Sequence, residues 1–406
     1  MRNPIFRRFA LVYAVIIGLS ACGGSGGGGG SSSSPATGTL KVGLVDAPAC
    51  GYDHVYVTVQ KVRVNQSSTA ADSDPGWVEI VNPAMARVDL LSLNNGVLSD
   101  LGQTGLAAGH YTQLELVLAA NGSSAPFANS LVLSSNPGAE IALTTPSAQQ
   151  SGLKINADIT VTANQEVDFL VDFNACKSIV SAGNSGKYLL KPVLTVTPVY
   201  LSGIDGYVDP AVAATTIVSA QQGGRQIQAT VPDATGKFTL VPLLPGNYDL
   251  VIAASGRATE VLTAVPVATA LLTPVNTIAT PYLPPLSANA VVTGTVTVTP
   301  TVTPLLADVQ VEQTFASGTQ IDLLDRPVDA TFGTFSDSLP LAAPLIATYV
   351  ALPAPAPAFG ADGTAAGKYT LSATYGLVTK TSATVTLSAA NTPPAPALQL
   401  PPFTFP

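Results

Sequence analysis

Histidine, cysteine, tryptophan and charge are all scarce in this 406-residue chain. It has two histidines, three cysteines and one tryptophan, and charged residues make up 10% of it. Each shortage removes a class of function. Structural zinc sites take four ligands and catalytic ones three plus water, and so few scattered histidines and cysteines supply no such set. With six glutamates and no GxSxG elbow joining a strand to a helix, the sequence shows no hydrolase nucleophile. Basic residues number 17 against 25 acidic, a net charge of −8. That sign disfavours nucleic acid and anionic membrane surfaces as partners. Apolar runs long enough to span a bilayer are missing, as are long stretches of 3.6-residue period.

What the chain does have is β-pattern. Hydrophobic residues are 47% of it, with 35 glycines and 33 prolines. Short alternating runs between turn residues predict an all-β fold, with two or three domains.

The first residues carry a separate signal. Arg2, Arg7 and Arg8 precede the short apolar stretch Ala10 to Leu19, which has the length of a signal-peptide core. It closes in Leu19-Ser20-Ala21-Cys22. This resembles the bacterial lipobox. The resemblance implies cleavage after Ala21 and lipidation of Cys22, with diacylglycerol and acyl chains such as palmitate. Residues 1–21 are then a lipoprotein signal peptide. Gly23 to Ser34 is nothing but glycine and serine. Such tracts are flexible coil and bury no apolar surface. Residues 22–38 are therefore expected to be a lipid anchor and disordered tether, spanning about 20–25 Å. Gly23 stands where aspartate would favour inner-membrane retention, so the resemblance points to the outer membrane, with its face undecided. Without residues 1–21 the chain keeps 14 basic against 25 acidic side chains.

Residues 39–200 read as one β-sandwich. Val55, Val57 and Val59 alternate, then the phase changes to Val62 and Val64, which predicts a β-bulge at Gln60-Lys61. Leu114, Leu116 and Leu118 share a face. Leu153, Ile155, Ala157, Ile159 and Val161 point inward, with Lys154, Asn156, Asp158 and Thr160 outward. "EVDFLVDF" is expected to bury Val167, Phe169, Val171 and Phe173 and to present Asp168 and Asp172. Pro192 and Pro198 mark an edge strand. The segments "VDAPACGYDHVYVTVQKVRV", "LLSLNNGVLSDLGQTGLAAGHYTQLELVL" and "LVDFNACKSIVSAGNSGKYLLKPVL" resemble the bacterial lipoprotein domain-of-unknown-function family 4382 (DUF4382). The resemblance implies an exported, often lipidated domain that precedes other β-modules and brings no catalytic residues.

Residues 202–282 hold "DATGKFTLVPLLPGNYDLVIAASG", where Gly236 and Gly246 are expected to make tight turns before alternating strands. This resembles the carboxypeptidase regulatory-like, prealbumin-like sandwich, a fold grouped with carbohydrate-binding-like modules. Residues 287–406 read as a diverged second copy, since "AGKYTLSATYG" echoes "TGKFTLVP". The Pro/Ala-rich "LPAPAPAFGADG" would interrupt it as a stiff loop, and "NTPPAPALQLPP" would be an extended tail. The two C-terminal regions are expected to be independent and joined by short linkers.

Cys50 and Cys176 are the cysteines left beyond the anchor. An exported compartment permits a disulfide between them; free buried thiols and a metal pair with His54 are the alternatives. Asp53 beside His54 suggests catalysis, but no nucleophile accompanies them, and His54 and His110 read as structural or surface residues. Asp168 and Asp172 lie about 13 Å apart on one strand face, too far for a glycosidase pair. Asp46, Asp53 and Asp172 near the disulfide would offer oxygen ligands to calcium, although Asp46 before Ala47-Pro48 fits a turn cap. Trp77 is either a sugar platform or a packing residue. The reading is a lipid-anchored, non-enzymatic envelope protein without cofactors, with a structural, adhesive or ligand-presenting role. Its partners are the membrane, through its lipid, and an envelope protein or glycan. A carbohydrate-binding module is the first alternative and an enzyme the second.

Overall fold

The computed structural model describes residues 36–46, 51–81, 87–145, 152–199, 202–353 and 356–406. The leader, Cys22, the Gly/Ser run and Cys50 lie outside these residues. Ala36–Pro406 form one compact unit, and its fold is all-β. No helix among the described residues is long and apolar enough to cross a membrane.

Region one is a sandwich of two sheets. The first has the order Leu194–Pro198, Glu166–Phe173, Thr37–Asp46 and Ser99–Ala107. Thr37–Asp46 runs parallel to Glu166–Phe173 and antiparallel to Ser99–Ala107. The second sheet is built on the 14-residue strand Tyr52–Asn65, which pairs with Gly109–Leu118, Ser130–Leu133, Val78–Val81 and Arg87–Asp89. Its register against Gly109–Leu118 shifts between Val59 and Lys61. The bulge thus falls at Gln60, where the valine phase changes. The one extra residue lets Val55, Val57, Val59, Val62 and Val64 all reach zero exposure.

The edge assignment at the end of the region also holds, with one refinement. Leu194–Pro198 is the outer strand of the first sheet, while Tyr188–Leu190 pairs in the second. Pro192 lies where the chain crosses from one sheet to the other.

The described body reaches into the stretch expected to be tether. The strand begins at Thr37, and Gly38 pairs with Leu106. Gly38 is a packing residue, because a Cβ there would stand 2.2 Å from the Thr162 carbonyl oxygen. Composition alone could not separate this glycine from those of the run before it.

Region two packs Lys237–Leu240, Gly203–Tyr207 and Leu272–Pro274 against a larger sheet. That sheet runs Arg225–Thr230, Thr216–Gln222, Gly246–Ala254 and Glu260–Val267. Phe238, Leu240, Leu250, Ile252 and Leu262 fill the space between. Gly236 makes its turn with φ +84°. Gly246 instead opens a strand and pairs with Val267.

Two features of region three differ from the expectation. Leu345–Thr348 leaves it and adds parallel to Glu260–Val267, followed by Gly360–Ala361, so the larger sheet of region two has six strands. Ala347 joins the region-two core, and Tyr349 and Phe359 pack on it. The C-terminal segment is also no free tail. Leu398–Gln399 and Phe403–Phe405 pair parallel with Asn289–Val298, and Phe405 is 1% exposed. Burying such an aromatic stabilises by about 1.5–3 kcal/mol, which the Pro-rich composition concealed.

Candidate functional site

The residues singled out in the sequence do not converge. His54 Nδ1 lies 2.6 Å from Asp89 Oδ2, and its ring stacks on Tyr56. His110 Nε2 lies 2.6 Å from Asp158 Oδ1. The two histidines thus belong to separate pairs. Asp89 also accepts from the Val55 and Leu91 amides, so it fixes a turn. Trp77 covers the Arg63 guanidinium at 4.7 Å, and its Nε1 donates to Ala71 O at 2.9 Å. It is a packing residue. Beneath it, Arg63 Nε and Nη2 donate to Glu115 Oε2 and Oε1, each at 2.8 Å. The alternation of Leu114, Leu116 and Leu118 would send Glu115 to solvent, yet it is fully buried under this pair.

Asp172 is half-buried rather than fully presented to solvent. Its Oδ1 is enclosed without a hydrogen-bond partner. Burial pushes its carboxyl up to about 7, opposed by the nearby Lys177. Lys177 lies in the one-turn helix Ala175–Ser178, beside Cys176. Among the described residues, no group of three His, Cys, Asp or Glu side chains is arranged to hold a metal. The calcium alternative has no support there, and the side chain of Asp46 and the whole of Cys50 lie outside the described residues.

Lys177 leads to a cluster that sequence reasoning missed. Its Nζ meets Asp325 Oδ2, and Lys191 Nζ lies 3.2 Å from Asp308 Oδ2. Asp329 Oδ2 accepts from the Gly183 amide at 2.8 Å, and Ser181 O accepts from the Ala330 amide at 2.8 Å. These contacts join regions one and three. Burial raises Asp308, with Lys191 opposing it. Burial also pushes Asp322 up to about 7, reinforced by Asp325 and opposed by Lys177. The available signal was "QIDLLDRPVDA", which carries three aspartates in eleven residues of a charge-poor chain. Beside this junction lies a cavity of about 670 Å³ whose wall includes Tyr52, Cys176, Ile179, Arg326 and Phe335.

Asn95 joins regions one and two. It sits at φ +57°, its Nδ2 donates to Lys237 O at 3.0 Å, and its Oδ1 accepts from the Thr239 amide. The side-chain amide thereby caps the edge of Lys237–Leu240 as a neighbouring strand would.

A second cavity, of about 520 Å³, opens in region two beneath the Pro/Ala-rich segment. Glu260 lines it at 5% exposure, with Oε2 unpartnered. Tyr282 and Phe359 meet edge to face in its wall at 5.7 Å.

The architecture defines a class, an all-β protein of packed sandwiches. Residues 37–192, most of region one, match the family described as "Domain of unknown function (DUF4382)". No curated protein matches the chain. Solved structures match weakly. A type II cohesin–X-dockerin complex mutant from Acetivibrio cellulolyticus is 23% identical over 21% of this chain, with a TM-score of 0.19. The match covers 58% of that protein's chain. The TIE protein of Bacillus anthracis is 11% identical over 91% of this chain and 50% of its own, with a TM-score of 0.17. A streptococcal ancillary pilin is 8% identical over 90% of this chain and 98% of its own, with a TM-score of 0.16. Scores this low define no shared fold along the whole chain.

Proposed function

We propose that the protein is a lipid-anchored, non-enzymatic component of the bacterial cell envelope, with a structural or ligand-presenting role. The observation that carries this reading is the order of Leu19-Ser20-Ala21-Cys22, twelve Gly/Ser residues, and a β-body whose first strand starts at Thr37. In this reading residues 1–21 are removed, Cys22 carries the lipid, and the Gly/Ser run holds the body off the membrane. Multiple acyl chains on one residue give stable anchoring where a single chain does not. Gly23 favours the outer membrane as its address. Residues 202–282 act as a carboxypeptidase regulatory-like spacer, and residues 287–406 form its diverged partner. Cys50 and Cys176 form a disulfide in region one.

Two observations favour a structural role over an enzymatic one. The histidines engage separate aspartates in turn and edge positions. The strongly perturbed acid Asp322 sits between regions two and three, where the Gln221 side chain bonds its backbone. Trp77 has one ring face on Arg63 and its Nε1 bonded to Ala71 O, which fits a packing role better than a glycan platform. The test is metabolic labelling with a fatty-acid analogue. The wild-type chain takes up label and Cys22→Ala does not; equal labelling of both would refute the anchor.

A further inference from the structure

The cavity in region two carries an inference beyond anchoring. Its wall is apolar over most of its surface, formed by Val275, Tyr282, Leu352, Pro353 and Phe359. The polar groups around it are already engaged with one another. Tyr282 donates its hydroxyl to Val275 O at 3.0 Å. Asn276 holds both Tyr207 backbone groups, at 2.7 and 2.8 Å. The Thr277 and Thr280 hydroxyls bond to each other at 3.1 Å. Glu260 is the exception. It shares a strand face with Leu262 of the region-two core, so its carboxyl enters the sandwich while Val261 packs on the opposite side. Its Oε2 has no partner. A buried carboxylate without a cation or donor is costly, and a native fold that retains one in a cavity wall suggests a group that completes it.

We propose that this cavity binds a small ligand bearing one protonated amine on an apolar body, with Glu260 as its counter-ion. The volume lies in the range of ligand sites, about 300–1,000 Å³. The geometry defines the chemistry: one carboxyl to receive N–H donors, and otherwise aromatic, leucine and proline surface for hydrocarbon. An anionic ligand meets Glu260 as a like charge. A neutral one of the same shape gains the apolar contacts but leaves the carboxyl uncompensated.

The pH response follows from the same residue. Burial alone pushes the Glu260 carboxyl up to about 7. The titratable groups that interact with it are phenols, Tyr282 and, through Tyr282, Tyr349; burial raises both, so they are neutral in this range. In the empty site the carboxyl is half protonated near neutrality and must lose its proton to pair with an amine. Amine affinity therefore rises as pH passes from 6 to 8, by up to about tenfold for one proton released. A neutral ligand shows no such rise.

Calorimetric titration of the full chain with phenethylammonium, 2-phenylethanol and phenylacetate tests this. The expected order is phenethylammonium at least about tenfold tighter than the alcohol, as for a charge-assisted hydrogen bond, with phenylacetate weakest. Glu260→Gln keeps the side-chain shape; it is expected to abolish the preference for the amine and its pH dependence while alcohol binding persists. The proposal is overturned if phenethylammonium does not bind, if the three probes bind equally, or if Glu260→Gln retains the preference. The comparison among probes needs only the wild-type protein, so it stands even if the variant is unstable. It is also independent of lipidation at Cys22.

Discussion

At the scale of single residues, the most consequential interaction is the Arg63–Glu115 pair. Glu115 has 1% side-chain exposure and Arg63 16%, and the two share a bidentate geometry. Removing one member of such a pair strands a buried charge, which costs about 3–5 kcal/mol. Arg63→Ala also uncovers the face of Trp77. Urea unfolding of Arg63→Ala is therefore expected to show a loss of that size, and Glu115→Ala a similar one. The double variant is expected to lose much less than the sum. Strict additivity would mean that the pair contributes nothing as a pair.

At the scale of elements, the strand Leu345–Thr348 makes regions two and three interdependent. The Leu345 amide donates to Thr259 O at 2.8 Å and the Tyr349 amide to Thr263 O at 2.9 Å. Tyr349→Pro removes the second donor and, through its fixed φ, disturbs the strand end. Hydrogen exchange is expected to accelerate along Glu260–Val267, although the substitution lies more than eighty residues later in the chain. Unchanged exchange there would show that the added strand contributes nothing to region two.

The same elements show what the sequence could reveal. The bulge at Gln60, the inward set Leu153 to Val161 and the edge strand at Pro198 follow from periodicity and proline chemistry, which act within one strand. Glu115, Asp172 and Glu260 did not follow. Alternation says which face a side chain takes, not what covers that face. Leu345–Thr348 and Phe403–Phe405 were hidden for a related reason. Each is a short apolar stretch among prolines, and its partner strand is decided by tertiary packing far along the chain. The cavity around Glu260 was invisible for the same reason, since its walls come from segments about one hundred residues apart.

At the scale of the whole molecule, three cores are held as one body by polar contacts at each junction. Asn95 joins regions one and two, and Lys177 and Lys191 join one and three. Gln221 exchanges two hydrogen bonds with the Asp322 backbone between two and three, at 2.6 and 2.8 Å. Val251 and Val261 pack there with Phe315 and Ile321. These junctions contain acids raised by burial, Asp322 to about 7 and Asp308 in the same direction, and burial also pushes Asp172 of region one up to about 7. Between their unfolded values near 4 and about pH 7, the folded state holds protons that the unfolded state has released, so stability falls as pH rises through that window. Above it the loss is complete. Asp233 and Asp362 are shifted down by hydrogen bonds from Thr235 and Thr364 and act below that range. The urea midpoint is expected to be higher at pH 5 than at pH 8, and Asp322→Asn is expected to reduce the difference. A midpoint that rises toward pH 8 would contradict the buried-acid junction.

The central claim is that this β-body hangs from a lipidated Cys22, and the mass of the mature protein tests it most directly. Extracted from membranes, the intact chain should have a mass that begins at Cys22 and includes a diacylglyceryl group with acyl chains. Under denaturing, non-reducing conditions it should take up no alkylating reagent if, as proposed, Cys22 is modified and Cys50 is bonded to Cys176. A chain that begins elsewhere, or begins at Cys22 with a free thiol, would contradict the account.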